Sequence, residues 1–302
     1  MSGAARSSIS ILIIAFLLTS PVGAKRLEVP GDLPSIQDAV DAAKEGDLIL
    51  ISPGLYREDV LISKPGVELR SDGNPTLKGM IKIVKAKGVR VEGIKLVGGT
   101  AESHAGIVCQ GSDAEIEGVA IDGYHHGMLI SGGSIRISNC HVLNSFNVCL
   151  QISFADARVE GSLFEGSGEG IVVIGEGDVR VEGCVIRGNS TGMRCVESKP
   201  VVRRSAFERN GIGVLASGGE PDLGTESERG LNAFIDNEIH IRSEGGVVKA
   251  VGNYWGSPDG PDPRRIEGKV ELRPWLTFDP RKGSGIKQVE KLPALWGWLK
   301  WR

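Results

Sequence analysis

From Val89 onward the chain repeats itself, and the repeat limits what it can fold into. "VRVEGIKLVGG" at 89 returns as "AEIEGVAIDGY" at 114 and "IRISNCHVLNS" at 135. It returns again as "ARVEGSLFEGS" at 157, "VRVEGCVIRGN" at 179 and "PVVRRSAFERN" at 200. The spacings are 25, 21, 22, 22 and 21 residues, and a third apolar segment ("GIVC", "GMLI", "VCLQ", "GIVV", "GMRC", "GVLA") follows each start. Alternation of period two reads as half-buried strand, and the intervening glycines read as turns. Three short strands in about 22 residues leave no room for the helix of a leucine-rich repeat and are too short for a propeller blade. They suit one coil of a parallel β-helix, in which each strand stacks on its equivalent in the next coil.

The repeat also assigns the inward side chains. Val91, Ile116, Ile137, Val159, Val181 and Val202 form one column, and Leu96, Ile121, Val142, Phe164, Ile186 and Phe207 a second. Ile107, Met128, Cys149, Ile171, Met193 and Val214 form the third. Between them stand charged outward rows: Arg90, Glu115, Arg136, Arg158 and Arg180, then Glu92, Glu117, Ser138, Glu160 and Glu182. These rows read as exposed ion pairs that keep the face soluble. Asn189, Asn210 and Asn237 share one turn position and read as a structural ladder. Cys140 and Cys184 share a column two coils apart, and Cys109 and Cys195 one four coils apart. Those separations exceed disulfide reach, which predicts mostly buried free thiols; Cys140–Cys149 and Cys184–Cys195 remain open as pairs within a coil.

A net charge of −3 gives no case for nucleic acid. The N-terminus reads as an export signal: Arg6, the apolar run from Ile9 to Leu18, then Val22-Gly23-Ala24 as a cleavage site. The expected organisation is a signal peptide over 1–24, the β-helix over 25–278 and a Trp-rich tail over 279–302. The exported chain would be extracellular, on the cell surface or periplasmic. Trp296, Trp298, Lys300, Trp301 and Arg302 in the tail suit either a cover for the C-terminal edge of the β-helix or contact with a membrane interface. "LPSIQDAVDAAKEGD" (33–47) reads as a capping helix, with Ser35 as N-cap, Asp38 in the capping-box position and Gly46 at its end.

"SIQDAVDAAKEGDLILISPGLYREDVLISKPGVELRS" resembles the opening of the pectin-lyase-like right-handed parallel β-helix superfamily, a group of carbohydrate-binding and sugar-hydrolase repeat proteins. "PDLGTESERGLNAFIDN" and "GNYWGSPDGP…VELRPWL" resemble closing segments of its secreted members. The resemblance spans about residues 27–278 and implies a single-stranded helix of nine or ten coils. It does not imply one activity, since the superfamily holds lyases, hydrolases, epimerases, esterases, non-enzymatic surface proteins and a periplasmic accessory protein for copper-site maturation. The Asn-Thr-Asp, Asp-Asp, Gly-His-Gly and Arg-Ile-Lys segments of polygalacturonase-like enzymes and the Asp-Pro-His of alginate epimerases are absent. No clear cluster of three acidic calcium ligands stands out, and "DGPDP" (259–263) reads as a turn in the closing segment.

One polar constellation remains. "AESHAG" (101–106) and "DGYHHG" (122–127) align on their glycines, which places His104 over His125, about 5 Å away in the next coil. His126, Asp122 and Tyr124 share that turn, and Glu102 lies in the turn before it. Three readings stand side by side. The first is a solvated polar turn. The second is a sugar site, with His125, His126, Asp122 and Tyr124 as acid/base candidates and His104, Tyr124 and Glu102 as binding candidates. The third is a metal site on His104 and His125, for which copper or zinc suits imidazole ligands. His141 and His240 stand alone and are expected at the surface. The leading functional expectation is an exported, non-catalytic protein that interacts with a polysaccharide or other glycan. The alternatives are a polysaccharide lyase, epimerase or hydrolase acting on an acidic glycan, which would bring calcium into question, and a periplasmic metal-handling accessory protein.

Overall fold

The computed structural model describes residues 23–98 and 104–283. Residues 1–22 of the expected signal peptide, Glu102 and the three tail tryptophans therefore lie outside the described residues. The described chain is an all-β right-handed parallel solenoid of about eleven turns. This exceeds the nine or ten expected, because both ends contribute pairings that the central repeat does not announce. Arg26–Val29 pairs with Leu48–Ile51 at the start, and Ile239–Lys249 with Ile266–Glu271 at the end.

Each coil has three faces. The first carries Val89–Glu92 and its equivalents, the second Lys95–Val97 and its equivalents. The third carries Ile81–Val84 and the strands stacked on it. The first and third faces form one 17-stranded sheet, while the second is a separate sheet of nine short strands. Strands Ala105–Glu117 and His126–Ser138 run across two faces without a break. They bend at Gly111 and at Gly132–Gly133, all with positive φ, where a side chain would strain the backbone.

The first two inward columns are buried as the repeat predicts. The third differs by one residue: Leu150, not Cys149, pairs with Met128 and Ile171. Cys149 is still buried, but at the corner, where it takes the place of Gly127 and Gly170 in the neighbouring coils. All five cysteines are free and buried. Loss of hydration pushes the thiols of Cys109, Cys140 and Cys184 up to about 12 and that of Cys149 to about 11, so they remain protonated hydrophobes.

Helix Ile36–Ala42 closes the N-terminal end. Ser35 Oγ accepts from the Asp38 amide and donates to the Asp38 carboxylate. The Glu58 carboxylate accepts from the next two exposed amides, those of Ile36 and Gln37, at 3.0 and 2.9 Å. Lys64 covers the other end, donating to the Val40 and Ala43 carbonyls. Ile36, Ala39 and Val40 face the first coil and are buried.

At one corner the turn amides are satisfied in sequence. The Ser167 amide donates to Asn189 Oδ1, that of Asn189 to Asn210 Oδ1 and that of Asn210 to Asn237 Oδ1, each at 3.0 Å. A second, mixed ladder at another corner runs from Cys184 through Ser205 and Asn232 to Asn253. Beside these ladders the core ends in an aromatic stack, with Phe207, Phe234 and Trp255 at centroid spacings of 5.0 and 4.7 Å.

His240 and His141 are buried, against the surface position expected for them. His240 packs against the side of the Phe234–Trp255 stack, and desolvation, reinforced by the charge of Arg265, lowers its pKa to about 4. A lone histidine in the linear sequence carries no sign of the aromatic wall that covers it.

Two outcomes follow. Asn210→Ala removes an acceptor for two buried donors of Asn189 and is expected to cost about 2–4 kcal/mol in denaturant unfolding, against under 1 for an exposed Asn. The depressed His240 contributes stability that is complete above about pH 6.5 and lost as pH falls toward 4, up to about 3 kcal/mol. The thermal midpoint should fall across that window, and less in His240→Gln.

Candidate functional site

The histidine edge forms as the aligned glycines require. Ala105 pairs with His126, and the His126 amide donates to the His104 carbonyl at 2.9 Å, so His104 stacks directly over His125. His104 is exposed, while His125 and His126 are half-buried with their rings edge-on, 4.6 Å apart. Burial, then the neighbouring His125 and His104, lower the pKa of His126. Its Nδ1 is enclosed and makes no hydrogen bond.

The other members of the constellation are engaged elsewhere. Tyr124 is 2% exposed and its hydroxyl donates inward to the Gly79 carbonyl. It cannot stack on a surface sugar, and desolvation pushes its pKa up to about 12, which removes it as a base near neutral pH. Tyr124 looks polar in sequence because it sits among turn residues; the fold uses it as core. Asp122 accepts from the Asn144 side chain at 2.8 Å, a tie between coils. The aromatic that does face solvent here is Phe146, one coil on, whose amide donates to the Tyr124 carbonyl and whose ring is 62% exposed. Its place in the register with Tyr124 was the available signal. Among the described residues no group of three or more His, Cys, Asp or Glu is arranged to hold a metal, so His104 and His125 would supply only two ligands.

A second feature lies where the third face turns into the first. An open groove of about 660 Å³ crosses six coils. The glycines Gly46, Gly66 and Gly88 line one end, and Asp113, Ser134 and Ile135 continue it. Its charged wall comes from the outward row: Arg90, Glu115, Arg136 and Arg158 follow one another in register. At about 4.8 Å per coil this row is some 15 Å of alternating and then repeated charge. The arginines are held by carboxylates, as the alternation predicts. Arg90 pairs with Glu117 at 2.8 Å, Arg136 with Glu160 at 3.0 Å and Arg158 with Asp178 at 2.7 Å. All are half-exposed, so each pair contributes about 0–1 kcal/mol and can be re-formed with a ligand at little cost. The groove was missed in sequence because the same residues, read one coil at a time, are only a soluble face. In the closing segment "DGPDP", Asp262 caps a short 3-10 turn and is held at about 2 by Arg264, a structural role.

Residues 105–253 match the family model described as "Right handed beta helix region". No curated protein gives a significant sequence match. Among solved structures, the alginate lyase from Paenibacillus sp. str. FPU-7 aligns with a TM-score of 0.57 at 14% identity, over 82% of this chain and 99% of that one. The PL6 family alginate lyase AlyGC, in a mutant form, gives the same score and identity over 82% of this chain, but only 40% of that lyase is spanned. A mannuronic acid specific polysaccharide family 6 lyase from human gut microbiota aligns with a TM-score of 0.52 at 14% identity, over 88% and 93% of the two chains. At such identity the likeness is one of fold.

The electrostatics of the histidine edge can be checked directly. His125→Asn removes a like charge beside His126, so the His126 pKa should rise toward 6.5 in an NMR titration; an unchanged or lower value would contradict the coupling.

Proposed function

We propose that this right-handed parallel β-helix, with the fold shared by the pectin-lyase-like proteins, is an exported protein that binds an extended polysaccharide in its axial groove without cleaving it. The observation that carries the proposal is the groove itself: open, polar and running across six coils. A small metabolite would be poorly enclosed in such a site, whereas a linear polymer can contact several coils at once. Weak contacts repeated along a chain add up. Guanidinium groups on successive coils present forks suited to carboxylate or hydroxyl oxygens, which favours an acidic glycan. The solved polysaccharide lyases of the same fold are consistent with a glycan partner. Export to the periplasm or cell surface rests on the signal-like segment over 1–24.

A catalytic reading is favoured by one feature, the neutral, partly enclosed His126 beside exposed His104 and Phe146. It is weakened by the inward Tyr124 and the tied Asp122, which leave only imidazoles as acid/base candidates in the turn.

Affinity electrophoresis through gels containing acidic or neutral polysaccharides tests the proposal. At least one acidic polymer should retard the chain, and Arg136→Ala/Arg158→Ala should weaken retardation at least fivefold with unchanged circular dichroism. His104→Ala should have no effect. Absence of retardation by every polymer would overturn the binding role, and release of new reducing ends or unsaturated products would replace it with the enzymatic one.

A further inference from the structure

Phe154 stands at a corner of the solenoid that makes little structural use of it. It follows the third-face strand Val148–Ser153 and precedes the first-face strand Asp156–Glu160. Ser131, Ser153 and Ile174 pair in register, so Gly132, Phe154 and Gly175 hold the same corner in successive coils. Like those glycines Phe154 has a positive φ, of 50°, and it is the one aromatic among the described non-glycine residues that do. A bulky side chain in this region strains the backbone. The other non-glycine residues along the corner, Lys85 and Glu197, are charged.

Packing recovers little of that cost. The side chain is 67% exposed, more than any other large apolar residue described. The ring rests against Gly175 of the next coil, where a Cβ would meet three ring carbons at 2.2, 2.5 and 2.8 Å. The next coil therefore has to keep glycine for the ring to lie there. A strained residue that the core does not use points to a role in binding.

Its position indicates the ligand. The groove ends in the coil of Phe154. Ser134 and Ile135 line the groove and pair with Asp156 and Ala157, two and three residues after Phe154. Arg158, the last arginine of the groove wall, follows in the same strand. The ring thus stands on the third-face side of the groove end and the guanidinium on the first-face side. Gly111 and Gly132, at the same corner in the two preceding coils, place no side chain beside the ring's approach.

We propose that Phe154 is a stacking platform for one pyranose ring of the polysaccharide, at the C-terminal end of the groove. This rests on the glycan-binding reading above and adds where a sugar is gripped and by which of its faces. A pyranose carries C–H bonds on its faces and oxygens on its rim. The C–H hydrogens meet the negative face of the phenyl ring, while carboxylate or hydroxyl oxygens on the rim reach Arg158. Arg158 and Arg180 pair in register and share Asp178, at 2.7 and 3.7 Å. A sugar carboxylate arriving there meets two guanidinium groups on successive coils, so the subsite favours a uronate over a neutral sugar.

Affinity electrophoresis in gels of polygalacturonate, polymannuronate and polyguluronate tests the platform, with Phe154→Gly and Phe154→Trp beside the wild-type chain. Phe154→Gly should weaken retardation about fivefold or more, and Phe154→Trp should retain or strengthen it. Phe154→Gly should keep the wild-type thermal midpoint, since glycine fills this corner in the coils on either side. With a trisaccharide of the retarding polymer, the C–H protons of one sugar should move upfield by NMR on the wild-type chain and not on Phe154→Gly. Retardation that is equal in the wild-type and Phe154→Gly chains overturns the platform and leaves the groove reading standing. Phe154→Trp as weak as Phe154→Gly overturns it as well. Failure of Phe154→Gly to fold, or a lowered midpoint, makes the ring a packing residue and has the same force. A wild-type chain retarded in none of the gels removes the platform together with the groove reading.

Discussion

Everything in this molecule depends on coil-to-coil stacking. Each strand finds its hydrogen-bond partners about 4.8 Å away in the coils before and after, so every residue has the same kind of neighbour above and below. An inward side chain must then match its column, and an outward one must tolerate its row. The two asparagine-containing ladders solve the same problem at the corners, where backbone amides would otherwise be left without partners. The capping helix, with the Glu58 carboxylate on its N-terminal amides, solves it at the open N-terminal end.

The same stacking explains how a surface can acquire a function without a pocket. One arginine per coil is a soluble decoration. Arg136 and Arg158 on successive coils beside a run of turn glycines become the wall of a groove. Repetition makes the site long and shallow, and a long shallow site suits a polymer better than a compact substrate. At the histidine edge stacking instead scatters the chemistry: His104 and His125 meet, while Tyr124, two residues from His126, turns into the core.

Much of the fold was legible in the sequence. The columns of Val91 and Leu96, the cap at Ser35, the register of His104 with His125 and the free cysteines all follow from period and alternation, which are local properties. The errors are equally specific. Leu150 replaces Cys149 in its column because that corner takes an extra inward residue where its neighbours have glycine. Tyr124, His141 and His240 were read from polarity, and polarity does not reveal whether a neighbouring coil or a returning segment covers a side chain. Phe146 and the axial groove were missed because their meaning lies between coils.

The sequence by itself determined that this chain is a solenoid, which residues face inward in the strands of its first two faces and how its N-terminal end is closed. Alternation and repeat length set these things, and stacking permits few other solutions. The tertiary structure alone decided which outward residues are covered, where charges from separate coils line one groove and that the chain doubles back from Leu276 to Glu208. Those outcomes depend on contacts between residues far apart in the chain, whose distances no local pattern encodes.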